Sequence, residues 1–235
     1  MPSFHNDLQL RWHIYATSAE LERASTQAIL HAARQAISER GVFHIVLAGG
    51  TTPRKVYESL RDADADWPAW HVYFGDERCL PPDHPERNSR MAALAWLDHV
   101  DIPSSQIHVV AAENGAEIAA NSYKQVVSQI EQFDLVLLGL GEDGHTASLF
   151  PDHDPGNRPD APAAIAVHGA PKPPPDRVSL SAKRLGAARQ VMFLVTGASK
   201  RQAVKDWRNG VNIPAASITP ACGVDIYLEA KLLES

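Results

Sequence analysis

The sequence predicts an α/β fold, a mainly parallel sheet with helices on both faces. Three observations carry that expectation. Short apolar, β-branched runs alternate with helical stretches along most of the 235 residues, and such alternation implies parallel strands covered by their connecting helices. Two of the runs end in glycine turns that feed directly into helix starts, at Gly49-Gly50 and at Gly197. A composition of 44% hydrophobic and 21% charged residues fits a packed globular chain, neither disordered nor fibrous.

Taken in order, residues 17–40 read as the first helix, because Thr17 and Glu20 have capping-box spacing and Leu21, Ala24, Ala28, Ala32 and Ala36 recur on one face. Residues 43–48 form a buried strand that stops at Gly49-Gly50. Pro53 suits a first helical turn, so residues 54–60 continue as helix. A strand at 70–74, a loop, and a helix at 88–97 repeat the unit. Strands at 106–110 and 133–138 flank a helix at 116–130. Prolines then crowd residues 151–176, leaving room for one short strand near 163–167. Beyond them, strands at 177–181, 190–196 and 223–228 surround a helix at 200–207. Because the alternation resumes, residues 1–235 are expected to form a single α/β domain in which 151–176 is a loop flanking the site.

Several classes of function are disfavoured. Twenty-two basic against 28 acidic residues give a formal charge of -6, with no basic cluster longer than Ser199-Lys-Arg201, so no nucleic-acid partner is expected. The apolar run at 135–138 is too short for a bilayer, and Met1–Asp7 lacks the regions of a signal peptide, which points to the cytoplasm. Cys79 and Cys222 have no metal or redox spacing. The 11 histidines include no His-Glu-x-x-His pattern, so no metal is expected.

In a parallel α/β sheet, ligands bind beyond the carboxyl ends of the strands, and four segments fall there. In Ala48-Gly-Gly-Thr-Thr-Pro53, the backbone of Gly49 and Gly50 with the hydroxyls of Thr51 and Thr52 could hold a phosphate, although a plain strand-helix turn reads equally well. In Gly75-Asp-Glu-Arg78, Arg78 offers a planar fork for phosphate or an oxyanion; the bland alternative is a solvated loop. Residues 139–145 deliver Glu142, Asp143 and His145 from a very apolar strand through three glycines. Histidine is the side chain best suited to take a proton near neutral pH, so His145 is a candidate general base, with a structural histidine as the alternative. In Val195-Thr-Gly-Ala-Ser-Lys200, Lys200 in the first helical turn opposes the helix dipole, which a bound anion would relieve.

Six blocks together resemble the 6-phosphogluconolactonase family: Gly49–Pro53, Gly75–Arg78, Asp83–Ser89, Gly139–Pro151, Pro171–Leu180 and Thr196–Lys200. The resemblance implies a Rossmann-like fold of the sugar-phosphate isomerase and CoA-transferase kind. It implies hydrolysis of 6-phosphoglucono-1,5-lactone to 6-phosphogluconate in the oxidative pentose phosphate pathway, without organic cofactor. The sequence leaves the assembly open between a monomer and a small homo-oligomer. By that analogy His145 activates water, Asp143 orients it, and Arg78 or backbone N–H groups stabilise the oxyanion. The phosphate falls to Gly50, Thr51, Thr52 and Lys200, with Arg177 a further candidate whose role could be exchanged with that of Arg78. Ala48 departs from the serine many relatives carry there.

Glucosamine-6-phosphate deaminases are similar, with a Gly-Gly-x-x-Pro turn and an Asp-Gly-His loop. Their loop typically runs on toward Asn-Glu-Pro, whereas here Thr146-Ala-Ser-Leu-Phe-Pro151 follows, and Arg78 stands in place of tyrosine. A sugar-phosphate-binding protein without catalysis is the other alternative; the retention of His145, Asp143 and Arg78 disfavours it.

Overall fold

A computed structural model describes residues 9–234; the opening segment Met1–Asp7 lies outside them. The expected α/β architecture is what forms. Seven parallel strands make one sheet in the order β1-β10-β9-β6-β2-β3-β5. They are β1 (Leu10–Tyr15), β2 (Phe43–Leu47), β3 (Trp70–Phe74), β5 (Ile107–His108), β6 (Leu135–Gly139), β9 (Val191–Val195) and β10 (Val224–Glu229). The central strands are buried along most of their length: Val191 through Val195 and Leu135 through Leu138 are all at most 3% exposed. Continuous apolar runs of this kind are what a sheet covered on both faces requires, and each such side chain contributes roughly 1.5–3 kcal/mol.

The helices are α1 (Ser18–Arg40), α2 (Thr51–Glu58), α3 (Asn88–Ala95), α4 (Ala116–Val127), α5 (Ala182–Gly186) and α6 (Arg201–Arg208). The start of α1 forms the Thr17 half of the capping box that its spacing predicts, and the Glu20 half lands one residue earlier, on Ala16. Thr17 Oγ1 accepts from the Glu20 amide at 3.2 Å while the Glu20 carboxylate reaches back to the Ala16 amide at 3.1 Å. Helix α2 begins at Thr51, three residues earlier than expected, directly after Gly50. Lys200 does not sit in the first turn of an α-helix; it closes a 3-10 turn, Ala198–Lys200, that leads into α6.

Two strands and the short helix α5 were not expected. Strand β1 adds an edge to the sheet by pairing with β10. Residues 76–78, read as part of a loop, form strand β4 (Asp76–Arg78), which pairs antiparallel with β8 (Arg177–Leu180), itself paired with β7 (Ala164–Val167). The proline-rich stretch thus contributes one strand to a second, three-stranded sheet.

From β2 the chain fills the sheet outward through β3 to β5, and from β6 it fills the other side through β9 and β10. The order reverses between β2 and β6, so the crevice of the fold opens at their carboxyl ends.

Candidate active site

Into that crevice opens a cavity of about 650 Å³, lined by Gly49, Gly50, Thr51 and Thr52 after β2, by Arg78 on β4, by His145 after β6, by Arg177 on β8 and by Lys200 after β9. The fold therefore brings together eight of the nine residues singled out from sequence. The ninth, Asp143, contacts the ring of His145.

The loop after β6 is shaped around the imidazole. The Gly141 amide donates to the His145 carbonyl at 2.7 Å, and Thr146 Oγ1 donates to the Gly139 carbonyl at 2.8 Å. A side chain at Gly141 would place its Cβ 2.0 Å from His145 Nδ1, so the ring can pack there only against glycine. Ala147 holds a positive φ of 48°, a costly conformation that tertiary contacts must sustain. Nδ1 of His145 is hydrogen-bonded to Asp143 Oδ1, and the same oxygen accepts from the His145 amide at 3.2 Å. Burial pushes the His145 pKa down, Asp143 partly restores it, and the net position is below the ordinary histidine value. Burial raises the Asp143 carboxyl, but the hydrogen bond and charge of His145 outweigh it and hold the group below its usual range.

The residues after the histidine connect it to the rest of the site. Phe150 packs its ring 4.8 Å from that of His145, and the Arg177 guanidinium carbon stands 5.5 Å from the centroid of the same Phe150 ring. Ser148 Oγ donates to Asp76 Oδ2 at 2.6 Å, while Asn88 Nδ2 donates to Asp76 Oδ1 at 2.9 Å. Asp76 is thereby fixed at the cavity wall although it is a charged group only 6% exposed.

Arg177 is buried and spends Nε and Nη2 on the carbonyls of Pro174, Lys172 and Pro173 at 3.0–3.1 Å; none of these bonds uses Nη1. Arg78 gives Nη1 to the Glu86 carbonyl, and its buried Nε has no partner among the described residues. At the turn after β2, Gly49 approaches Asn88 so closely that a Cβ would lie 2.1 Å from Oδ1. Helix α2 then offers the amides of Thr51 and Thr52 in its first turn without a partner among the described residues, and Pro53 has no N–H to give. Thr52 Oγ1 is 2.6 Å from Thr196 Oγ1, which ties this turn to the one after β9. Burial lowers the Lys200 pKa.

Sequence reasoning did not single out Asp76, Asn88, Ser148, Phe150 or Lys172, all of which line the cavity or hold a residue that does. Each lay inside a block already noticed, but only the strand pairing of β4 with β8 shows that they meet. Among the described residues no group of three or more His, Cys, Asp or Glu side chains is arranged to hold a metal ion, and no helix is long and apolar enough to cross a membrane.

A parallel sheet with a histidine-centred, cation-walled crevice at its switch point defines an α/β enzyme of small anionic substrates. Residues 16–227 match the family described as glucosamine-6-phosphate isomerases/6-phosphogluconolactonase, and the chain belongs to it. Relatives include the 6-phosphogluconolactonase of Synechocystis sp., 44% identical over 72% of this chain and 73% of its own. The 6-phosphogluconolactonase of Mycobacterium tuberculosis is 37% identical over 86% of this chain and 89% of its own. The crystal structure of the Thermotoga maritima 6-phosphogluconolactonase superposes with a TM-score of 0.87 at 26% identity, covering 94% of this chain and all of that one.

Proposed function

We propose that this chain, as one α/β domain, hydrolyses 6-phospho-D-glucono-1,5-lactone to 6-phospho-D-gluconate, with His145 as general base. The observation that carries the reading is the His145–Asp143 pair facing a cavity walled by Arg78, Arg177 and Lys200. With Nδ1 committed to Asp143, Nε2 is the nitrogen free to take a proton. Water, deprotonated by Nε2, attacks the lactone carbonyl carbon; the carbon–ring-oxygen bond then breaks, and the imidazolium returns its proton to the leaving alkoxide. A lowered histidine pKa keeps the base neutral near pH 7.

The neighbours of the two arginines support a division of labour. Arg177 lies one aromatic ring away from His145 and suits the oxyanion. Arg78 borders a smaller cleft with Gly50 and Thr51 and suits the phosphate.

The decisive measurement is hydrolysis of freshly made 6-phosphogluconolactone in excess of its spontaneous opening. A rate at background would overturn the reading, and ammonia release from glucosamine 6-phosphate would replace it with deamination.

A further inference from the structure

Four lysines line the cavity, and they differ in one respect. Lys55 is 3.5 Å from Glu22 and Lys231 is 2.8 Å from Glu229, so both are neutralised by carboxylates. Lys172 and Lys200 border the same cavity and form no ion pair among the described residues. They approach from opposite origins: Lys200 from the turn after β9, Lys172 from the proline-rich strap that leads into β8.

The strap is not loosely placed. The buried Arg177 guanidinium grips the carbonyls of Lys172, Pro173 and Pro174, and consecutive prolines fix φ along it. Lys172 therefore projects from an anchored backbone. Its charge is felt by both His145 and Lys200, whose pKa values it helps to lower. Lys200 also feels the carboxylates of Glu142 and Asp143, but neither lysine is closed by an ion pair among the described residues. Two ammonium groups in one cavity repel, and an anion of charge -2 bound between them removes that cost.

We propose that Lys172 binds the substrate phosphate, clamping it from the strap against Lys200 and the α2 turn. This rests on the lactonase reading for the identity of the phosphate carrier. The clamp makes the enzyme selective for a phosphorylated over an unphosphorylated lactone. An arginine in place of Lys172 keeps the charge, and a methionine keeps the length without it.

Two measurements test the clamp. The first compares kcat/KM for 6-phosphogluconolactone and for unphosphorylated glucono-1,5-lactone in wild type, Lys172→Met and Lys172→Arg. The second titrates inorganic phosphate into the same three proteins by calorimetry. Loss of one charge-assisted contact is expected to lower the phosphorylated-to-unphosphorylated ratio about tenfold or more in Lys172→Met, through KM rather than kcat, and to weaken phosphate binding comparably. Lys172→Arg restores most of both. An unchanged ratio with unchanged phosphate affinity overturns the proposal, as does equal loss on both lactones, which would mark a structural role. If wild type opens neither lactone above background, the lactonase reading fails, while a phosphate affinity that falls in Lys172→Met still upholds the clamp.

Discussion

His145 and Asp143 are joined twice, through Nδ1 of the ring and through the backbone amide, to a single carboxylate oxygen. The double attachment fixes the ring plane and places the Nδ1 proton on the Asp143 side. The lone pair is thereby assigned to Nε2 of a ring that belongs to the cavity lining. This is the orientation that the proposed general base requires, reached here within three residues of one loop.

Removing the base should leave the fold intact and the reaction crippled. His145→Ala is expected to lower kcat/KM for 6-phosphogluconolactone by about 10²–10⁴, with the unfolding midpoint in urea little changed, because the ring is packed at a cavity wall rather than in the core. An alanine variant with unimpaired excess hydrolysis would remove His145 from the mechanism.

The pH profile carries the sign of the Asp143 contact. In wild type, burial holds the His145 pKa below 6.5, so kcat/KM should stay level through neutrality and fall only as pH drops through that depressed value. Asp143→Asn deletes the interactions that raise the pKa and leaves burial unopposed. The acid limb should therefore move to still lower pH, while the plateau falls about 10²-fold because the tautomer is no longer fixed. An acid limb that moves upward in the asparagine variant contradicts this account.

Gly141 should be as indispensable as the histidine it faces. An added Cβ would meet His145 Nδ1 at 2.0 Å, Cε1 at 2.3 Å and Asp143 Oδ1 at 2.6 Å, so the pair must separate. Gly141→Ala is expected to lose activity on the scale of His145→Ala while destabilising the fold by about 1–3 kcal/mol, the usual cost of overpacking. Kinetics on a variant shown by circular dichroism to be folded would check it; near-normal turnover would mean the loop relaxes around the methyl.

The scaffold beneath the site depends on a buried ion pair. Arg87 is 2% exposed and Glu77 fully buried, with Arg87 Nε 3.1 Å from Glu77 Oε2. The contact is ionic rather than a hydrogen bond, since Nε lacks a properly directed acceptor. Arg87 Nη2 and Nη1 reach the Val110 and Leu80 carbonyls at 2.7 and 2.8 Å. Glu77 in turn accepts from the amides of Arg78, Asn88 and Ser89, each at 2.8 Å, and so holds the start of α3 against β4. Arg87→Met strands the carboxylate among those amides and should cost about 3 kcal/mol in urea unfolding. Arg54→Met, which removes an exposed pair with Glu58, should cost no more than about 0.5 kcal/mol.

That scaffold marks where sequence reasoning ran out. Strands β2, β6 and β9 were legible because burial on both faces makes them continuous apolar runs, and the turns after them because glycine and proline punctuate local structure. Asp76-Glu-Arg78 read as a loop because three charged residues in succession are usually solvated. Their strand depends on partners far along the chain, with Asp76 opposite Ser179 and Arg78 opposite Arg177, and on donors from Asn88 and Ser148 that make burial of the carboxylates tolerable. Strand β1 escaped notice because Leu10-Arg-Trp-His-Ile-Tyr15 mixes polar and apolar residues. Its Arg11 and His13 are accommodated by Asp225 on the neighbouring strand, at 2.7 and 2.8 Å. Lys172 sat inside a recognised block, but its lack of an ion-pair partner among the described residues is a tertiary property.

Acid should destabilise the protein through a histidine cluster remote from the active site. His44 and His71 lie side by side on β2 and β3, with ring centroids 5.1 Å apart. His71 Nδ1 is 3.2 Å from His108 Nε2, and the Tyr73 hydroxyl is 3.3 Å from His44 Nδ1. Burial first, then the charge of His71, brings the His44 pKa down to about 4, against a partial opposing pull from Asp134; His108 and Arg184 also lower it. The unfolded chain, with an ordinary pKa of about 6.5, therefore binds the proton first. The stability that His44 contributes as a neutral ring is full above about pH 6.5 and is lost as pH falls toward 4, below which both states are protonated and the loss stops. The unscreened bound is about 3 kcal/mol, and because the ring is only half-buried, solvent screening brings it to roughly 1–2 kcal/mol. Urea unfolding at pH 7 and pH 5 should show a smaller drop in stability for His44→Gln than for wild type; equal drops would mean that His44 is protonated in the folded protein as readily as in the unfolded chain.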